Sequence, residues 1–225
     1  MADDSESDSG EDSQGAAPVQ TLPDDRPDAA LPWTSAVDLL NRYPLICDSR
    51  FGDSYGQGEF VRMPDGELVK DTHSPTGYLM GPVGKEQSSE VAVAGQLLGD
   101  RTSKLAESSS LAAWAALTYG LGANVGQGGR FDYQREGSRL QGYIQYREYR
   151  DVSNFNVGLY AQQAGLSKDD TLAISGAFAR ALSSNARSNE PYSLDPRTRE
   201  FIEIGWDKGA SGAFNRTAPE PMRVP

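Results

Sequence analysis

Asn154-Phe155-Asn156-Val157-Gly158-Leu159-Tyr160-Ala161-Gln162-Gln163-Ala164-Gly165-Leu166 is the stretch on which the fold turns. It packs side-chain amides, two glycines and an aromatic pair more closely than an ordinary amphipathic helix would. Burying an amide is unfavourable unless its donors and acceptors find partners. The segment therefore either fixes a polar network inside the fold or lines a site. Ser153 or Asn154 is placed to cap a helix that Gly165 would stop. Ser167 with Asp170 then makes a capping-box-like start, an Asp standing where Glu or Gln is usual. The helix it opens is read over 171–184, with Ile174, Phe178 and Leu182 spaced by four on a face expected to be buried.

Helical signals extend in both directions. Upstream, Val91, Ala94, Leu97 and Leu98 keep helical spacing, with a break or kink expected at Gly99-Asp100. Leu105, Leu111, Trp114, Ala115 and Leu117 predict a second helix ending at Gly120, its alanine-rich 111–116 packed tightly in the core. Downstream, Asp195-Pro196 reads as an N-cap followed by proline at the first helical position, opening a last helix through Lys208 with Gly209 just beyond it. Between these helices, 131–134 and 140–149 read as a β-hairpin turning near Glu136-Gly137-Ser138. A second hairpin is read further upstream, where Phe60-Val61-Arg62-Met63 and Glu67-Leu68-Val69-Lys70 flank Pro64-Asp65-Gly66, with 77–82 as an edge strand. The expected class is α+β and mainly helical, a helical core over 86–210 with one inserted hairpin.

Charge divides the chain. Residues 1–30 hold nine acids and one base, a net −8 that leaves −3 of the total −11 for residues 31–225. The first 31 residues lack large apolar side chains to offset ordering entropy and are read as a disordered acidic tail. Residues 32–85 form a small N-terminal part, opened by a short helix over 32–43 with Thr34 as cap; 86–214 is the helical domain and 215–225 a flexible end. No basic segment followed by an apolar run marks a signal peptide, and no apolar stretch has the length of a membrane span, so synthesis in the cytoplasm is expected. Cys47 is the lone cysteine, so neither an intramolecular disulfide nor a cysteine zinc cluster is expected. Neither a metal nor another cofactor is predicted. Gly126-Gln127-Gly128-Gly129 lacks the following Lys-Ser/Thr and helix of a phosphate loop and reads as a turn.

The candidate chemistry rests on carboxylates. Asp132, flanked by Phe131 and Tyr133, has a half-apolar setting of the kind that suits a general acid. Glu200, Glu203 and Asp207 are spaced by three and four on one helix face, as a solvated face or as acid–base partners. Asn154 and Asn156 could orient a substrate amide or cap the helix; Tyr133 and Gln134 are further substrate-binding candidates, and Arg197 could take an oxyanion or pair with the acids. Arg130, Arg135, Arg139, Arg147 and Arg150 with Tyr133, Tyr143, Tyr146 and Tyr149 form the local basic-aromatic cluster fit for nucleic acid. His73 lies far from these elements in sequence, so a histidine mechanism depends on the fold bringing it near.

The order Phe131-Asp132-Tyr133-Gln134, then Asn154-Phe155-Asn156-Val157-Gly158, then Asp195-Pro196-Arg197-Thr198-Arg199-Glu200 resembles the toxin domain of bacterial polymorphic toxins known as type 44. The likeness covers roughly residues 125–214, and Gln134 stands where that pattern often has Lys. The resemblance implies an interbacterial effector delivered by specialised secretion machinery, held in check by a cognate immunity protein, and acting as a hydrolase. Peptidoglycan is the first expected polymer substrate, cut like a muramidase by Asp132 with Glu200 or Glu203. RNA is the second. A non-catalytic binding or secretion-apparatus module is the third reading.

Overall fold

A computed structural model describes residues 58–138, 142–183 and 186–214. The acidic tail, the 32–43 helix, Cys47, Arg139 and the C-terminal end lie outside them. The α+β, mainly helical class is observed. Strand β1 (Gly58–Phe60) pairs antiparallel with β2 (Met80–Pro82). Two helices follow, α1 (Ser88–Ala106) and α2 (Ser110–Val125), then an antiparallel hairpin of β3 (Arg135–Ser138) and β4 (Gly142–Gln145). A 3-10 turn (Arg147–Tyr149) leads into α3 (Arg150–Gln163), and α4 (Lys168–Leu182) and α5 (Pro196–Ala210) complete the order.

The N-terminal part is held by a ring of three backbone hydrogen bonds. The Val61 amide donates to the Leu79 carbonyl (2.9 Å), Leu79 to Val69 (2.8 Å) and Val69 to Val61 (3.1 Å). All three side chains are buried, and with Met63 they join one core with Val91, Leu98, Phe131, Phe155 and Phe201. The expected hairpin is present, Arg62 bridging Leu68 and Gly66 turning at φ +87°.

The central helix is α3. The Cβ of an alanine at Gly158 would fall 1.9 Å from the Ile202 carbonyl oxygen, and at Gly205 of α5 it would fall 2.0 Å from the Phe155 carbonyl oxygen. The two backbones are in contact because both glycines lack a side chain. On the other flank Gly95 of α1 sits against Tyr160, a Cβ there meeting its carbonyl oxygen at 2.6 Å. The amides of the opening stretch divide. Gln163 accepts from Gln96 Nε2 and donates to the Gly209 carbonyl (2.9 Å), bridging α1, α3 and α5, while Asn156 donates to the buried Phe131 carbonyl (3.1 Å).

Several boundaries differ from expectation. Helix α1 runs unbroken through Gly99, because the buried face of Val91, Gly95, Leu98 and Thr102 offsets one glycine's propensity penalty of about 1 kcal/mol. The break comes at 107–109, where Ser109 Oγ accepts the Ala112 amide (3.2 Å). Gly120 does not end α2; it makes room for Leu98, whose Cδ1 lies 2.6 Å from a built Cβ. Gly209 likewise sits inside α5, pressed against Gln162. The 111–116 patch is not core: Ala113 is buried but Leu111 is 76% exposed. Helix α3 starts at Arg150, so Asn154 lies in its second turn, and Ser153 accepts the Gln134 amide (2.9 Å) instead of capping. Residues 131–134 form turns, and Glu136-Gly137-Ser138 lie in strand β3, paired with Ile144, Tyr143 and Gly142, instead of forming the hairpin turn.

Gly158→Ala forces the α3 and α5 backbones apart and should lower unfolding free energy by at least about 3 kcal/mol in urea denaturation. Gly122→Ala, in α2 with no atom within 4 Å of the added methyl, should instead be neutral or stabilise by up to about 1 kcal/mol.

Candidate functional site

The three segments of the family-like order meet in space. Asn156 and Ser153 tie α3 to residues 131–134 through the bonds above. Arg150 Nη2 binds Asp195 Oδ1 (2.5 Å) and Thr198 Oγ1 (2.8 Å), and Arg197 clasps Asp151 through both carboxylate oxygens, tying α3 to the start of α5. All three segments contribute to one cleft of about 430 Å³ between α2, α3 and α4. Its walls are apolar, including Trp114, Leu121, Val157, Ile174, Phe178 and Ile202. Its polar groups include Asp132, Gln134 and Arg135, then Arg150 and Asn154, then Asp195 and Thr198.

The charges in the cleft are mutually paired. Asp132 is buried, with Arg135 Nη1 at 2.9 Å and the Gly128 amide at 2.8 Å on the same carboxylate oxygen. Burial alone would raise the Asp195 carboxyl, but Arg150 and the Thr198 and Arg197 amides outweigh it and hold it below the usual carboxylate range. Asp195 also caps α5, accepting the Thr198 amide (3.3 Å). Asn154 is 8% exposed, and its Nδ2 has no hydrogen-bond partner among the described residues.

Neither Glu200 nor Glu203 lines this cleft. The three acids of α5 go to three different partners. Glu200 Oε2 lies 2.9 Å from His73 Nε2, Glu203 lies 3.8 Å from Arg199, and Asp207 pairs with Lys168. The fold thus brings His73 across 127 residues to a candidate acid, which sequence separation gave no means of foreseeing. His73 is positioned by the Asp71 turn, whose Oδ1 accepts the His73 and Ser74 amides (2.8 and 3.1 Å), and by the Phe201 ring 6.0 Å away. Asp71 itself is buried; desolvation and the nearby Asp151 charge raise its carboxyl above the usual range, against the pull of those amides and of Arg197. His73, Glu200, Arg197, Asp151 and Asp71 therefore form a second polar cluster, on the opposite side of α5 from Asp195 and Thr198.

Two of the remaining candidates are buried. Tyr133 is buried and donates to the Glu86 carbonyl (2.7 Å), and Asn156 is wholly committed to the core. Three arginines of the basic-aromatic cluster are paired, Arg130 with Glu86, Arg135 with Asp132 and Arg150 with Asp195, while Arg147 is exposed. Among the described residues no group of three or more His, Cys, Asp or Glu is placed to hold a metal ion, and no helix is long and apolar enough to cross a membrane. Comparison with known proteins finds no matching family model, no matching curated protein and no matching solved structure.

Because the Asp195 carboxyl is held low, its contribution to stability is present above the usual carboxylate pKa and is lost as pH falls through the folded value. Asp195→Asn keeps a capping oxygen but removes the charge. It should lower stability at neutral pH by about 1–2 kcal/mol and flatten the loss of stability below about pH 4, read from denaturation at a series of pH values.

Proposed function

We propose that this chain is an effector toxin domain of the type 44 kind, and a hydrolase whose acid–base groups suit RNA best. The observation that carries this reading is the accessible His73–Glu200 pair, 2.9 Å apart, with Arg197 one helical turn before Glu200. The motif order supports the toxin class, since its three segments share one cleft and the last of them also presents Glu200 to His73. A cognate immunity protein and a secretion carrier belong to the same proposal.

RNA carries its own nucleophile, so cleavage needs a base, an acid and a group to meet the phosphate. In this reading one member of the His73–Glu200 pair takes the proton of the 2′-hydroxyl as O2′ attacks phosphorus. The 5′-oxygen leaves with a proton from the other member, and the products are a 2′,3′-cyclic phosphate and a 5′-hydroxyl. Side-chain exposures of 38% for His73 and 43% for Glu200 leave the pair open to a polymer. Arg197, three residues before Glu200 on α5 and 36% exposed at its side chain while clasping Asp151, is the cation proposed to meet the phosphate oxygens. Peptidoglycan fits less well. A glycosidase needs two carboxylates flanking one bond at about 5–10 Å, and here Asp132 is in the cleft while Glu200 and Glu203 are engaged outside it.

The test is incubation of the purified chain with a fluorescent RNA, together with expression confined to the cytoplasm or directed to the periplasm. Cleavage leaving cyclic phosphate ends is expected, falling about 10²–10⁴-fold in His73→Ala and less in Glu200→Gln. Lysis that requires periplasmic targeting and is lost in Asp132→Asn would instead assign the cell wall. Harm in neither compartment with no RNA cleavage would leave the binding-module reading.

A further inference from the structure

The cleft between α2, α3 and α4 has features that RNA cleavage at His73 does not use. The apolar stripe of α4 was expected to enter the core. Ile174 and Phe178 are only half-buried, Ile174 packing against the edge of the core, and both line the cleft with Trp114 and Leu121 of α2 and Val157 and Ala161 of α3. A volume of about 430 Å³ lies in the range of pockets that take small ligands. Apolar walls of this extent favour an apolar body.

The polar groups narrow the choice. Asp132 with Arg135 and Asp195 with Arg150 neutralise one another, so the cleft offers no unbalanced charge among these pairs to a charged head. Asn154 differs from them. Asn154 lines the cleft and is more than nine-tenths buried, and its Nδ2 is a donor with no partner among the described residues. An unmade buried donor is costly. Asn156, two residues on, shows the ordinary solution, donating to the Phe131 carbonyl. A ligand atom in the cleft would supply what Asn154 lacks, and because the group is a donor that atom must be an acceptor.

The geometry points to a binding site for a neutral amphipathic small molecule, an aliphatic or aromatic body carrying an amide or ester carbonyl, with that oxygen accepting from Asn154 Nδ2 and the body lying along α4. This assignment does not depend on the hydrolase reading, since it concerns binding on the other side of α5.

The probes are octanamide, which presents a carbonyl, and octylammonium, a donor-only head on the same length of chain, titrated calorimetrically into the full chain. Octanamide should bind at least tenfold more tightly than octylammonium. Asn154→Leu should abolish that preference while unfolding at the same or a higher temperature, because it removes a donor that has no partner. Ala161→Trp and Ile174→Trp, which fill the cleft from two different helices, should each reduce octanamide binding at least tenfold, and either one that folds by circular dichroism suffices. Absence of octanamide binding at millimolar concentration, equal binding of the two probes, or unchanged binding in Asn154→Leu or in a folded filling variant would overturn the assignment. Loss of RNA cleavage in His73→Ala would leave all of these results untouched.

Discussion

The backbone contact between α3 and α5 at Gly158 and Gly205 is the constraint from which the rest of the arrangement follows. With built Cβ atoms only 1.9 and 2.0 Å from the facing carbonyl oxygens, neither position tolerates a side chain. That approach brings the first turns of the two helices close enough for Arg150 to reach Asp195 and Arg197 to reach Asp151. Both ion pairs are therefore consequences of the helix contact as much as supports for it. Partly buried pairs contribute little net stability once desolvation is counted, but breaking one leaves an uncompensated charge. Their effect is to fix the azimuth of α5, and with it which residues face α4 and which face the 71–74 loop.

The same pairing accounts for the character of the two polar regions. Three arginines of the basic, aromatic-rich stretch are matched to acids, two of them far away in sequence and one three residues back: Arg130 to Glu86, Arg150 to Asp195 and Arg135 to Asp132. The matched charges leave a cleft whose affinity must come from apolar surface and hydrogen bonds. Across α5 the balance differs, since Asp71 and Asp151 share Arg197 and the His73–Glu200 pair lies at the surface. Groups there can exchange protons with solvent, which those buried among apolar walls do less readily.

Much of the architecture was legible because it depends on local rules. Ser167 accepting the Asp170 amide, Asp195 accepting the Thr198 amide and Gly165 at φ +89° are short-range chemistry, and the residues state it directly. The glycines were the main source of error. Gly99, Gly120 and Gly209 read as breaks by propensity, yet each lies inside a helix, and at Gly120 and Gly209 the missing side chain makes room for a neighbouring one. Propensity describes a residue's preference alone, whereas these positions are decided by a partner distant in sequence. The site divided along the same line. Asp132, Gln134 and Asn154 were found together because two local motifs carry them, while the meeting of His73 with Glu200 depends on a contact 127 residues long.

Periodicity met a different limit on α4. A stripe of Ile174, Phe178 and Leu182 reveals that one face avoids water, but an apolar core and an apolar cleft impose the same spacing. The two can be told apart by what the facing residues do. In a core the opposing side chains close the gap and every buried polar atom is satisfied. Here the opposing wall stands back, α4 buries fully only Thr171, Leu172 and Gly176, and an amide at the base of the gap keeps an unused donor. An unsatisfied buried donor destabilises the empty fold by about 1–3 kcal/mol. Replacing it with an apolar residue would be the simpler packing solution, as Val157 one turn along α3 shows at the same cleft. An arrangement that retains the donor at the apolar wall gains from it only when an acceptor arrives, which ties the character of α4, the depth of the cleft and the identity of residue 154 to a single cause.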